Sequence, residues 1–119
     1  MSDHVYWIIE AEVNDGKVDE LKSLMAEMSD ATFSDEPGAL NYEWSLSEDE
    51  KVVHIFERYI DSAATMIHMG NFGAKFAARF MGVLKPTKCT LYGAPDEKVR
   101  KAMSPMGAVL MTSAAGFSR

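Results

Sequence analysis

The chain has 119 residues, 47% hydrophobic and 25% charged, a size and balance that suit one compact domain with a real core and leave little room for a second. Against 18 Asp and Glu stand 12 Lys and Arg, a net charge of −6, and the cations are scattered rather than gathered into a stripe, which argues against a nucleic-acid partner. No apolar run approaches the ~20 residues of a membrane-spanning helix, the N-terminus has no basic region followed by an apolar core, and the sole cysteine, Cys89, allows neither an internal disulfide nor a cysteine-based zinc site. These features predict a soluble, cytoplasmic protein held together by packing.

From Val5 to Val13, Val5, Trp7, Ile9, Ala11 and Val13 alternate with Tyr6, Ile8, Glu10 and Glu12, the period of a strand. Its first half is apolar on both faces, which predicts helices on one side and another covering, such as a second subunit, on the other. Asn14-Asp15-Gly16 is turn chemistry. From Lys17 onward Val18, Leu21, Leu24, Met25, Met28 and Thr32 follow the spacing of an amphipathic helix. Glu36-Pro37-Gly38 stops that helix near Phe33 or Ser34, because proline lacks an amide hydrogen and glycine permits positive φ. Leu40, Tyr42, Trp44 and Leu46 then form the aromatic-rich face of a second strand. After the acidic turn Ser47-Glu48-Asp49-Glu50, Val52 to Tyr59 returns as the other arm of a hairpin, with Val53, Ile55, Glu57 and Tyr59 on one face. A carboxylate between Ile55 and Tyr59 needs solvent or a partner.

Asp61 is placed to cap a helix running to about Met81, with Met69, Phe72, Phe76 and Phe80 as its apolar stripe. Gly70 and Gly73 weaken it midway, so a kink is expected around Gly70 to Asn71. Pro86 to Gly93 predicts a fourth strand, and the order β-α-β-β-α-β is an α+β fold of the ferredoxin-like type. Beyond this unit, 1–94, lies an extension of the same domain, 95–119. In it Asp96 caps a short helix from Glu97 to about Met103, and Met106 to Thr112 predicts a fifth, apolar strand. With no partner in a four-stranded sheet, this strand is expected to lie along a sheet edge, its own or a neighbouring subunit's.

Four short motifs occur in a telling order: Gly16-Lys17 before the first helix, Glu36-Pro37-Gly38 before the second strand, Glu57-Arg58-Tyr59-Ile60-Asp61 at the end of the third, and His68 followed by Asn71-Phe72. Over about Val5 to Tyr92 the chain resembles the antibiotic biosynthesis monooxygenase (ABM) family, including its quinol monooxygenase-like members. The resemblance implies a dimeric α+β barrel, two ferredoxin-like sheets facing each other, with a pocket in each subunit between sheet and helices. In catalytic members of the family that pocket binds a polycyclic phenol or quinol and lets molecular oxygen react without flavin or metal, so no cofactor is implied here. Other members degrade haem, and many have no established reaction. The haem-degrading pattern places its iron ligand near Phe76 and its first-strand asparagine near Tyr6 or Trp7, residues unable to play those parts. Histidines at 4, 54 and 68 show no metal-ligand spacing, and neither a Gly-rich phosphate loop nor a Gly-x-Ser-x-Gly elbow occurs.

Chemistry of this kind needs apolar walls that exclude water, a base that deprotonates the substrate, and groups that stabilise the resulting anion. Tyr42, Trp44, Phe72 and Phe76 are the candidate walls; His68, Glu57 and His54 are the candidate catalytic groups, with Tyr59 and Asn71 as further substrate-binding ones. Each has a plainer role. His68 shares a helix face with Asn71, Lys75 and Arg79, so a surface position is the simpler reading. His54 sits with Val52 and Phe56 as an interior or interface histidine, and Glu57 is a structural acceptor or ion-pair member with Arg58 or Lys88 as conceivable partners. Tyr42 and Trp44 are part of the core or a stacking floor for a planar ligand. Two functions follow: a homodimeric cofactor-independent monooxygenase acting on a small aromatic phenol or quinol, or a non-catalytic dimer of the same fold that binds a small apolar molecule.

Overall fold

The alternation of the first strand is carried into its burial: in β1 (Val5–Val13) Val5, Trp7, Ile9 and Ala11 are buried while Tyr6, Ile8 and Glu10 are partly exposed. A computed structural model describes residues 2–119 and follows β1 with α1 (Val18–Asp35), β2 (Ala39–Leu46), β3 (Val52–Tyr59), α2 (Ser62–Lys75), α3 (Ala77–Val83), β4 (Leu84–Gly93), α4 (Glu97–Met103), a single 3-10 turn (Ser104–Met106) and β5 (Val109–Met111). The sheet order is β2-β3-β1-β4-β5, antiparallel except where β5 runs parallel to β4. This is the ferredoxin-like α+β arrangement with one strand added at an edge. The fifth strand therefore pairs within its own sheet, Leu91 opposite Leu110, and is shorter than the apolar run predicted.

One face of the sheet carries the core. Trp7, Ile9, Val53, Ile55, Tyr59 and Leu91 project from it against Leu21, Leu24 and Met28 of α1, Phe80 and Val83 of α3, and Val99 and Met103 of α4. The other face holds a partly exposed aromatic cluster in which Tyr6 stacks on Tyr92 at 5.2 Å and meets Phe56 edge-on at 6.3 Å.

Three local expectations are corrected. Helix α1 continues to Asp35, since Pro37 bars helical hydrogen bonding only beyond that point, and the Glu36 amide closes the last turn on the Thr32 carbonyl at 3.0 Å. In β2 a bulge between Ala39 and Asn41 removes Leu40 from the inward face and leaves it 40% exposed. The second long helix breaks at Phe76, where φ is −127°, and not at Gly70 to Asn71. Gly70 and Gly73 lie in open space and only lower helix propensity, whereas turning at Phe76 lets both Phe76 and Phe80 reach the core. The predicted caps are present: the Asp61 carboxylate accepts from the Ala64 amide at 2.8 Å, and that of Asp96 from the Val99 amide at 2.9 Å.

Gly38 sets the distance between β2 and α2. A Cβ added there would lie 2.6 Å from the Ala64 Cβ, so only glycine lets the segment carrying Glu36 lie this close to the helix carrying His68.

Candidate functional site

Glu57 projects from the inner face of β3 and is 4% exposed. A carboxylate this buried requires compensation. Tyr59, two residues along the same face, donates its hydroxyl to Glu57 Oε1 at 2.7 Å, and His68 of α2 places Nε2 3.0 Å from the same oxygen. The other ring nitrogen, Nδ1, lies 2.9 Å from Oε1 of Glu36, a second buried carboxylate held at the C-terminus of α1. Asn71, three residues after His68, donates to Glu36 Oε2 at 3.2 Å. The result is one chain, Asn71–Glu36–His68–Glu57–Tyr59, with the imidazole between two carboxylates and the rings of Tyr59 and Tyr42 at 5.0 and 5.3 Å from it.

Burial is the largest single influence on His68 and by itself would favour the neutral ring. The hydrogen bonds to Glu36 and Glu57, with the charges of both carboxylates, outweigh it and raise the pKa to about 9. At neutral pH the site thus holds an imidazolium, which is a proton donor and not a base. Burial, with the Glu57 charge, also raises the Tyr42 and Tyr59 phenols well above their ordinary range, so both remain protonated donors.

A cavity of about 60 Å³ opens beside this chain. The sheet supplies Trp7, Ile9, Tyr42 and Glu57; the helices supply Met28, His68, Met69, Phe72 and Phe80; and the C-terminal extension supplies Met103 and Met106. Both contacts to Glu57 fall on Oε1, which leaves Oε2 free of them, and apart from Tyr42, Glu57, His68 and the Trp7 indole the wall is made of apolar side chains. The free space is less than the roughly 150 Å³ of a cavity that accepts benzene, so a ring enters only if the walls yield. Four of them are methionines, whose unbranched side chains repack at low cost.

The structure brings some of the predicted site residues together and separates others. Tyr42, Glu57, His68 and Phe72 line the cavity. His68 is buried, not on the surface, and Glu57 pairs with His68 and Tyr59 instead of Arg58 or Lys88. Asn71 and Tyr59 act behind the cavity, on Glu36 and Glu57. Trp44 packs edge-on against Phe80 at 6.2 Å outside the lining, and Phe76 borders a separate crevice beside Glu36. His54 is on the opposite face of the sheet, half exposed, 3.6 Å from the Glu10 carboxylate, and takes no part in this site. Trp7, Glu36, Met103 and Met106 were not anticipated. Glu36 reads in the sequence as part of a helix stop and of the Glu36-Pro37-Gly38 motif, with no role of its own, and its meeting with His68 spans 32 residues.

The family model for antibiotic biosynthesis monooxygenases matches residues 4–78, which include Glu36, Glu57 and His68. The chain belongs to the antibiotic biosynthesis monooxygenase family. Membership places it among monooxygenase-like proteins. No curated protein matches the sequence. Among solved structures, MupZ from Pseudomonas fluorescens superposes with a TM-score of 0.86 at 23% identity, over 100% of this chain and 91% of MupZ. SnoaB, a cofactor-independent oxygenase from Streptomyces nogalater, has a TM-score of 0.66 at 18% identity over 80% of this chain and 96% of its own. A conserved protein from Methanosarcina mazei has a TM-score of 0.67 at 17% identity over 76% and 91%. At these identities the likeness is one of fold. The match with MupZ takes in the C-terminal extension, which the ABM family model does not reach. Among the described residues no helix is long and apolar enough to cross a membrane.

Proposed function

We propose that this ABM protein is a cofactor-independent monooxygenase that oxidises a small phenol or quinol with molecular oxygen in the methionine-walled cavity, Glu57 acting as the base. The observation that carries this reading is a buried carboxylate in the cavity wall, one oxygen held by His68 and Tyr59 and the other engaged by neither. The family's chemistry and the description of SnoaB as a cofactor-independent oxygenase agree with it.

Glu57 Oε2 takes a proton from the substrate. The imidazolium of His68, paired with Glu36, and the phenol of Tyr42 stabilise the anion that forms. The anion passes one electron to oxygen, and the resulting radical pair combines to a peroxide. The peroxide forms at a ring carbon that bears hydrogen, and loss of water from it leaves a carbonyl there, so a phenol, with its ring C–OH and ring C–H, and one O₂ become a quinone and one H₂O. Apolar walls protect the radical pair and the peroxide from solvent. The substrate oxygen binds close enough to Glu57 for direct proton transfer, and the methionines of the extension close over it.

The same reading includes a homodimer joined through the open sheet face that carries Tyr6, Phe56 and Tyr92. An unsupported aromatic surface of this kind is costly to leave in water.

Oxygen uptake with a panel of hydroquinones and anthrone-like phenols tests the function. Turnover by the wild type that falls about 10²-fold or more in Glu57→Gln supports Glu57 as the base. Tight binding with no oxygen consumed by any of the panel overturns catalysis in favour of a binding protein of the same fold.

A further inference from the structure

Buried N–H groups in native proteins nearly always meet an acceptor. Among the described residues the indole N–H groups of Trp7 and Trp44 meet none. Trp44 lies outside the cavity lining. Trp7 is in the cavity wall and only 2% exposed, and the Tyr59 ring 5.2 Å away has committed its hydroxyl to Glu57. Water has almost no access to this indole, and since Trp7 is one of the residues that line the cavity, a guest there is the acceptor the surroundings can offer it.

The sheet register shows where such a guest would sit. Trp7 lies directly opposite Glu57 across the β1–β3 ladder, and Glu57 lies directly opposite Tyr42 across the β2–β3 ladder. Opposed residues on one face have Cβ atoms about 4.5–5.5 Å apart. Trp7, Glu57 and Tyr42 therefore form a row across three strands, a carboxylate flanked by an indole and a phenol, all three lining the same cavity.

We propose that the Trp7 indole N–H is the anchoring donor for the substrate oxygen, so that the site selects a compact ring carrying a phenolic or enolic hydroxyl that donates to Glu57 Oε2 and accepts from Trp7 Nε1. This deepens the function proposed above and rests on it. Opposed donor and acceptor read a hydroxyl specifically, because a methyl group of the same size leaves both unpaired. The contact also serves the reaction. As the proton moves to Glu57 the substrate oxygen becomes anionic, and an N–H bond to an anion is shorter and stronger than one to a neutral hydroxyl. Trp7 thus holds the transition state more tightly than the ground state. A ring nitrogen fixed in a packed wall needs no reorganisation when that charge appears.

The test uses phenol and its near-isostere toluene as probes of the full chain, with ¹⁵N-indole-labelled protein and Trp7→Phe, which removes the N–H and keeps an aromatic ring. The Trp7 indole resonance is identified as the one absent from the variant. Phenol is expected to move it downfield, whereas toluene binds without that shift. Trp7→Phe is expected to weaken phenol about tenfold and to change toluene affinity less than twofold. A Trp7 resonance unmoved by bound phenol overturns the proposal, as does a variant that keeps full phenol affinity or loses toluene equally. In each of those cases the cavity and Glu57 remain as the site. Failure of both probes to bind wild type sinks the proposed function, and the role of Trp7 with it. Should Trp7→Phe fail to fold, Trp44→Phe assigns the Trp7 resonance as the one that remains, the chain having two tryptophans, and its shift in the wild type decides.

Discussion

Raising the pH should destabilise this protein in a window fixed by His68. Its pKa is raised to about 9 in the folded state by Glu36 and Glu57 and returns to the ordinary ~6.5 when the chain unfolds. Below 6.5 both states carry the proton and the stabilisation is whole. Between 6.5 and 9 the folded state alone keeps it, so each step up in pH favours the unfolded chain, and above 9 the contribution is gone. A difference of about 2.5 pKa units corresponds to about 3 kcal/mol, an upper bound because the two carboxylates share one imidazolium. That is a large part of the 5–15 kcal/mol typical of a domain. Urea unfolding of wild type and His68→Gln at intervals from pH 6 to 10 measures it. The stability advantage of wild type should shrink as pH rises through the window, by up to about 3 kcal/mol. Cys89, pushed up to about 11 by its burial and by the Glu57 charge, acts above pH 9 and equally in both proteins. A gap that stays constant with pH, or an NMR titration of the His68 ring with a midpoint below 7, refutes the imidazolium and the charge arrangement built on it.

Glu57→Gln should reduce oxygen uptake by two to three orders of magnitude while phenol still binds, since removing a positioned base typically costs about 10²–10⁴ in rate; calorimetric titration beside the oxygen electrode separates the two effects. Met106→Ala removes a half-buried wall supplied by the extension and should shift preference toward two-ring phenols, read as a rise in 1-naphthol affinity relative to phenol; unchanged relative affinity removes the extension from substrate selection. Gly38→Ala puts a Cβ 2.6 Å from that of Ala64 and should destabilise the fold by about 1–3 kcal/mol and pull the His68 titration midpoint below 9 as Glu36 moves away; thermal unfolding and the NMR titration read both. Sedimentation at micromolar concentration should give a dimer for wild type and a monomer for Phe56→Asp, a charge placed in the aromatic cluster of the open sheet face.

The pattern of the chain made much of this fold legible. Period-two alternation marked β1, β2 and β3, and carboxylates at Asp61 and Asp96 marked helix starts that the structure confirms at 2.8 and 2.9 Å. Those signals are local, because a strand's alternation and a cap's hydrogen bond involve residues only a few positions apart. His68 had a signal too. It stands three residues after the buried Thr65 and four before Phe72, the spacing of an inward face. Its neighbours Asn71, Lys75 and Arg79 pointed the other way, and the sequence held no means of weighing one face against the other.

Element order and the ferredoxin-like topology were settled by the amino-acid string alone, since hydrophobic period and turn chemistry are written into neighbouring residues. The side-chain network through His68 and the cavity were decided by tertiary contacts. Glu36 meets His68 because Gly38 lets the start of β2 lie against α2, and Trp7 meets Glu57 because of a ladder register between strands some fifty residues apart. The cavity is finished by two methionines from beyond β4. Such meetings depend on how complete elements pack, and packing is a property of the assembled surfaces that no short stretch of sequence contains.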